Sequence, residues 1–380
     1  MKPLEGLTIL DLSRVLACPF ASMILAELGA RVIKVEQPGA GDETRSFEPQ
    51  LAKDSAYYFA CNRSKESITV DLRSAAGKET IRKLARKADV LVENFPVGTL
   101  ARYGLDFSTI SSLNPAIVYV SCTGFGQTGP YKDKKGYDTV FQAMGGLMSL
   151  TGERAGGPVK PGLPVADLTS GLWVAIAILA ALQGRSRTGK GGHVDFSMLD
   201  GQVALLTLAA ARYFALGEIP PRLGTEHPGR VPSATFRCKD GKYAHITASD
   251  QHWTPLCRAL GIEEWGLPFK TNLIRVERRD EVMKGLTEKI EAMERSKLLA
   301  ILDEADVPVG PVNDVAEILD DPHVQARGLV GSFDYPGVGE FKALGLPYKF
   351  HGWDDPRIGR PPALGEHTAK ILAELDVHDA

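Results

Sequence analysis

The chain has 380 residues, 44% of them hydrophobic and 24% charged, a globular composition with enough length for about two domains or one large α/β unit. A formal net charge of −3 excludes the broadly basic surface that nucleic acid or an anionic membrane would demand, while leaving room for a local phosphate site. Five scattered cysteines, Cys18, Cys61, Cys122, Cys238 and Cys257, include no C-x-x-C pair, which argues against zinc and disulfide frameworks and for buried thiols in a reducing compartment.

The N-terminal MKPLEGLTIL meets Glu5 and Gly6 before any long apolar stretch, unlike a secretory signal. The longest apolar segment, Leu172–Leu182, is too short to cross a bilayer. A cytoplasmic protein without a membrane partner is the expectation.

In chain order, Leu7–Leu12 predicts a strand, Ala21–Leu28 a short helix ended by Gly29, and Arg31–Glu36 a second strand, a βαβ rhythm. A charged helix at Ala75–Lys87 precedes strands at Asp89–Glu93 and Ala116–Cys122. Together they predict a doubly wound, mostly parallel sheet. Asp167–Leu182 is apolar nearly all round and predicts a helix buried in a large domain, closed by Gly184. A strand at His193–Ser197 and an alanine-rich helix at Leu199–Leu216 follow.

Pro220, Pro221, Pro228 and Pro232 cluster with glycines in a segment too long for a simple connection, so it predicts a functional loop or linker. Ala234–Ile246 predicts a hairpin turning at Asp240-Gly241, followed by amphipathic helices at Trp253–Leu260 and Asp280–Glu291. After Val312 the chain is expected to run through loops to a final helix at Glu366–Leu375. The domain expectation is a large Rossmann-like domain from residues 1–198 and 327–380, linkers at 199–223 and 313–326, and a small α+β domain at 224–312.

The first βα turn, Asp11 to Pro19, lacks the G-x-G-x-x-G of a dinucleotide site, and Glu36 is read as a solvated strand end. Gly124–Gly129, after a strand, could turn backbone N–H groups toward a phosphate or an oxyanion. Asp167, just before the apolar helix, reads from local pattern first as an N-cap. No H-E-x-x-H or other metal-ligand spacing is present, so no metal is expected, and the absence of G-x-S-x-G gives a serine hydrolase no support.

Several segments in one order resemble the class III coenzyme A transferases of the CaiB/BaiF type, the family of formyl-CoA transferase, to which α-methylacyl-CoA racemase is related. They include LTILDLSRVLACPFASMILAELGARVIKVEQPGAGD, NRSKESITVDL, ADVLVENFPVGTLARYGLDF, NPAIVYVSCTGFGQTGPY, GYDTVFQAMGG, ADLTSG, RTGKGGHVDFSMLD and LGEHTAKILAEL, and span essentially the whole chain. The resemblance implies a Rossmann-like large domain built from both chain ends, a smaller inserted domain and an interlocked homodimer. It implies that Asp167 is a covalent nucleophile, forming an aspartyl anhydride and then an aspartyl-CoA thioester, with acyl-CoA and free carboxylic acid as substrates and no permanently bound cofactor. It implies CoA contacts from Val15, Leu16 and Ala17, from Asn62 and Lys65, from Asn94 and Phe95, and from Arg102, Gly126, Lys135 and Tyr137. An N-terminal helix position is expected to keep Asp167 ionised.

The departures bear on the substrate. Leu16 stands where formyl-CoA transferase has a glutamine, and its glycine-only loop is absent before Ala234, which weakens formate and oxalate. Tyr137 replaces the histidine of the racemase, which removes one of two proton-exchange partners. Gly224–Pro228 resembles the loop of members acting on succinate and other dicarboxylic acids, with Arg222 and Arg230 nearby as carboxylate clamps. Backbone donors near Gly124–Gly129 or Thr225–Gly229 are the expected oxyanion stabilisers. Two alternatives stay open: an acyl-CoA racemase or epimerase with Asp167 as base, and a non-catalytic CoA-binding protein.

Overall fold

Six strands, β1 (Thr8–Asp11), β2 (Arg31–Glu36), β3 (Glu66–Thr69), β4 (Val90–Glu93), β5 (Val118–Thr123) and β6 (Gly192–Ser197), form one parallel sheet ordered β3-β2-β1-β4-β5-β6 in a computed structural model. The structure describes residues 1–376; residues 377–380, the tip of the expected C-terminal part of the large domain, lie outside the described residues. Apart from the edge strand β6, one face of which is exposed at His193 and Asp195, the strands present successive side chains to two covered faces. Ile9, Val32, Val90, Val92, Val118 and Val120 face one core with helices α1 (Ala17–Glu27) and α4 (Val165–Thr188). Leu10, Ile33, Leu91 and Tyr119 face another, with α2 (Ala75–Lys87) and Ile371 and Leu375 of the last helix (Thr368–Asp376). This is the expected doubly wound α/β fold.

The chain divides into two compact units. One comprises Met1–Met148, Lys160–Gly217 and Pro322–Ala380, and the other Ser149–Val159 and Glu218–Asp321. The second unit holds a three-stranded antiparallel sheet of β7 (Ser233–Arg237), β8 (Tyr243–Thr247) and β9 (Val309–Pro311), with β8 central, around Trp253, Leu256, Val282 and Leu298. The hairpin at Asp240-Gly241 is present, with Gly241 at φ +77, the left-handed turn conformation that glycine adopts without penalty.

Several elements differ from expectation. The first helix starts four residues early, at Ala17, because Pro19 sits in its first turn, where a backbone N–H would have no partner anyway. Gly184 does not end α4, which continues to Thr188 and is closed by the left-handed Gly189. At 24 residues α4 is long and apolar enough to cross a membrane, contrary to the shorter apolar segment expected, and it is not buried all round: Val174, Ala175 and Ile178 are part of the core, while Leu172, Trp173 and Ile176 are exposed. The alanine-rich helix is broken at Leu206 into Met198–Leu205 and Thr207–Leu216. The stretch after Val312 holds a hairpin, Val330–Tyr335 with Gly339–Leu344, packed on Tyr58 and Phe59.

Glu36 is not a solvated strand end. It is 4% exposed, and both its oxygens accept from Arg45 at 2.7 Å, while Ser67 Oγ donates to it at 2.6 Å. Arg45 also pairs with Asp54 and lies 3.7 Å over the Tyr58 ring. Burying these charges is tolerable only because each carboxylate is met by several donors.

Candidate active site

α3 (Asp138–Met144) and α4 bring two carboxylates together. Pro164 is the N-cap of α4 and makes no side-chain cap bond, so Asp167 is the third helical residue and not the cap. The capping expectation fails because Pro164 and Val165 already begin the helix. The backbone N–H of Asp167 donates instead to Oδ1 of Asp138 at 3.1 Å, satisfying a first-turn donor from a neighbouring element. Asp138 in turn accepts from Gln142 Nε2 at 2.5 Å.

Burial, and then the charge of Asp138, push the Asp167 carboxyl up to about 7. The expectation that the helix terminus keeps it ionised holds only in part at neutral pH, because loss of hydration and a like charge disfavour the anion. A carboxyl titrating near neutrality is more nucleophilic than an ordinary one, and a substantial fraction remains ionised at neutral pH.

Asp167 and Asp138 line a cleft of about 320 Å³ with Val15, Leu16, Tyr57 and Lys160. Val15 and Leu16 reach it because the first turn is held from three sides. Asn94 accepts the Arg14 N–H at 2.9 Å and donates to the Arg14 carbonyl at 2.8 Å; Asp42 accepts the Val15 N–H; Lys34 Nζ donates to the Ser13 carbonyl at 3.0 Å and to Asp42 at 2.8 Å. Val15 sits at φ +69, a left-handed conformation unfavourable for a β-branched residue, which this network maintains. On the helix side, Gly171 makes the approach possible. A Cβ there would lie 2.6 Å from the Ala17 carbonyl oxygen, so glycine lets α4 pack against the start of α1.

The same first turn borders a second depression through Ser13 and Arg14. Gln37, Asp71, Arg73, Phe95 and Tyr103 complete much of its lining, and Arg14 lies 5.0 Å over the Phe95 ring. It lies beyond the carboxyl ends of β1, β2, β3 and β4. The strand order reverses there, since the chain builds β2 and β3 to one side of β1 and then crosses to β4, the usual ligand position in such sheets. Arg73, absent from the expected contacts, is 70% exposed at its side chain and pairs with Asp71.

The other expected contacts fall into three groups. Ala17, Asn94 and Phe95 belong to or support the first turn. Asn62 and Lys65 are buried beneath it: Lys65 Nζ spends its three donors on Asp11, Asn62 and the Pro19 carbonyl, and burial lowers its pKa to about 8. Arg102, Lys135 and Tyr137 are exposed. Gly126 lies apart from Asp167, in a cleft lined by Gly129, Asp195 and Asp200, where the Gln127 N–H is bound by Asp195. In Thr225–Gly229, of the second unit, the N–H groups of Glu226, His227 and Gly229 are bonded to Leu223, Ser233 and His227. Asp138 and Lys160 were missed. Asp138 stands in the quoted GYD segment, yet nothing local signals its bond to a residue 29 positions away.

A model of CoA-transferase family III matches residues 4–368. The chain is 41% identical to succinyl-CoA:glutarate CoA-transferase of Homo sapiens over 100% of its own length and 87% of that protein. It is 40% identical to succinate–glutarate CoA-transferase of Agrobacterium fabrum, over 98% and 96%. The crystal structure of a CAIB/BAIF family protein from Brucella suis superposes with a TM-score of 0.89 at 42% identity, covering 99% of this chain and 100% of that one.

Proposed function

The chain belongs to CoA-transferase family III, and from that premise we propose that it moves coenzyme A from succinyl-CoA or another dicarboxylyl-CoA to a second, free dicarboxylic acid, with Asp167 as nucleophile. The observation that carries the reading is the Asp167 carboxyl, raised to about 7 and facing a cleft bordered by the first turn. Its ionised oxygen attacks the thioester carbonyl and expels CoA as thiolate, giving a mixed anhydride that keeps the acyl group activated. The thiolate attacks the Asp167 carbonyl of that anhydride, releasing the donor acid and leaving an aspartyl-CoA thioester. The acceptor carboxylate repeats the sequence in reverse and departs as the new thioester. Bond energy is conserved without ATP.

The first turn supports a route for CoA, since Ser13 and Arg14 border the switch-point depression while Val15 and Leu16 border the cleft. We assign the nucleotide end to the depression, where Arg14 and Arg73 supply charge for phosphates and Phe95 and Tyr103 supply aromatic faces. Val15, Leu16, Ala17, Asn94 and Phe95 then accompany the pantetheine arm, with Arg102, Lys135 and Tyr137 at the surface. Asn62 and Lys65 act as supports beneath the turn. Lys160 is the partner assigned to the far carboxylate of the acid; the two transferases above, both named for glutarate, support a dicarboxylic substrate.

An interlocked homodimer is supported by the apolar face that α4 leaves open at Leu172, Trp173, Ile176 and Leu179. Five buried free thiols support a reducing, cytoplasmic setting.

The test is intact-protein mass spectrometry after incubation with succinyl-CoA and glutarate, with hydroxylamine trapping. The expected adduct maps to Asp167; an adduct mapped elsewhere refutes the mechanism. A carboxyl at about 7 also suits a base, so the racemase reading is separated by α-proton washout in deuterated water without CoA exchange.

A further inference from the structure

Glu93, the last residue of β4, is 5% exposed and plays no part in the chemistry above. Its carboxylate accepts the Phe95 N–H at 2.8 Å and has its pKa lowered, against the larger effect of burial, by the neighbouring Ser121, itself 3% exposed on β5. Ser121 Oγ lies 3.0 Å from Nε2 of His193 on β6. The imidazole stacks on Phe107, with centroids 5.0 Å apart and planes at 16°, and opens to solvent on a cleft that Glu93, Ser121 and Gln127 also line.

We propose that Glu93 is a positioning residue for acyl-CoA binding: its carboxylate, on the cleft it shares with Ser121 and His193, holds the Asn94–Phe95 turn that clamps the first turn at Arg14. The linkage is continuous. Glu93 fixes the Phe95 N–H, the adjacent Asn94 grips both backbone groups of Arg14, and Val15 follows in its unfavourable left-handed conformation. A network that maintains a strained turn has to be held at its far end as well.

Glu93 lines the same cleft as Ser121 and His193, so its carboxyl exchanges protons with solvent there. Once it is protonated, the Phe95 N–H faces a neutral carboxyl in place of an anion, a weaker bond.

Burial raises the Glu93 carboxyl to about 6, so this exchange falls just below neutrality. The groups facing it are Tyr119 and Cys122 on β5, His193 and Asp195 on β6, Cys18 on α1, and Asp106 beyond the turn. Tyr119 and Cys18 are both pushed up and stay protonated, and burial lowers His193, so the ring is neutral at neutral pH.

This inference rests on the transferase reading, and its experiment separates the two. The Kd for 3′-dephospho-CoA, which lacks a phosphate titrating in this range, is measured by calorimetry between about pH 5 and 8. Wild type is expected to weaken roughly fivefold as pH falls through the Glu93 transition. Glu93→Gln keeps an acceptor for the Phe95 N–H without a charge and is expected to remove that inflection. Ser121→Ala removes a donor that favours the anion and is expected to move the inflection up by about one unit. Persistence of the wild-type inflection in either variant overturns the proposal. Carboxylate 13C NMR of the substrate-free protein follows Glu93 directly, and an unshifted titration in Ser121→Ala also overturns it. Absence of CoA exchange by the wild type counts against the transferase reading and leaves the NMR test standing.

Discussion

Asp138 holds the backbone of Asp167 and at the same time repels its side chain: one carboxylate oxygen accepts the Asp167 N–H at 3.1 Å, while the negative charge raises the Asp167 carboxyl. The position of Asp167, the proposed nucleophile, and part of its raised pKa therefore come from the same neighbour. Asp138→Asn keeps an acceptor and removes the charge. The ascending limb of kcat against pH, which follows ionisation of Asp167, is expected to shift about one unit toward acid, with a lower plateau from a less basic nucleophile. An unshifted limb would show that Asp138 does not tune the reaction.

Asp167→Asn removes the proposed nucleophile without emptying its place, and CoA transfer is expected to fall by at least ~10³-fold. The same variant is informative about stability. A carboxyl raised to about 7 in the folded state binds more protons there than in the unfolded chain, where it titrates near 4, so stability falls as pH rises between these values. Asn cannot ionise. At pH near 8 the variant is expected to be more stable by roughly 1–2 kcal/mol, less than full linkage because solvent reaches the carboxylate, and to lose that advantage near pH 4. Chemical denaturation at both pH values checks the sign.

Lys160→Met removes the cation from the cleft. The KM for a dicarboxylic acceptor is expected to rise about tenfold, while a monocarboxylic acid of equal length changes by less than about twofold. Equal effects on both acids would place Lys160 on the reacting carboxylate or on CoA.

Gly171→Ala places a methyl group 2.6 Å from the Ala17 carbonyl oxygen. Backbone cannot yield as a flexible side chain would, so α4 must move away from α1. A loss of about 2 kcal/mol and a fall of roughly tenfold in kcat/KM are expected, because Asp167 and the first turn sit on the two parted helices.

Arg45→Met leaves Glu36 and Asp54 buried without their guanidinium. A loss of about 3–5 kcal/mol by denaturant titration is expected, since each uncompensated carboxylate must ionise in the core or take up a proton.

Legibility in the sequence followed the range of the interaction. β2 at Arg31–Glu36 and the helix at Ala75–Lys87 were read to the residue, because alternation and amphipathic spacing are local signals. Asp167 was located, but its surroundings were not. A cap is the local meaning of an aspartate at a helix start, whereas Asp138 acts on it from another helix. The same limit explains Glu36, whose partners Arg45 and Ser67 are brought to it by the folded chain. Lys65 shows the converse: a cation in a segment expected to meet phosphate is spent on the core.

The last helix has a bearing on how the molecule is made. Its Ile371 and Leu375 fill a core shared with β2, β3 and β4, the His367 N–H bonds the Ser67 carbonyl, and Thr368 Oγ1 accepts from the Thr69 N–H. During synthesis from the N-terminus, strand β3 leaves the ribosome roughly three hundred residues before its cover, a gap of about 15–60 s at ordinary elongation rates. Throughout that interval an apolar face and a strand edge are unprotected, as in other nascent chains that depend on chaperones or on a partner chain.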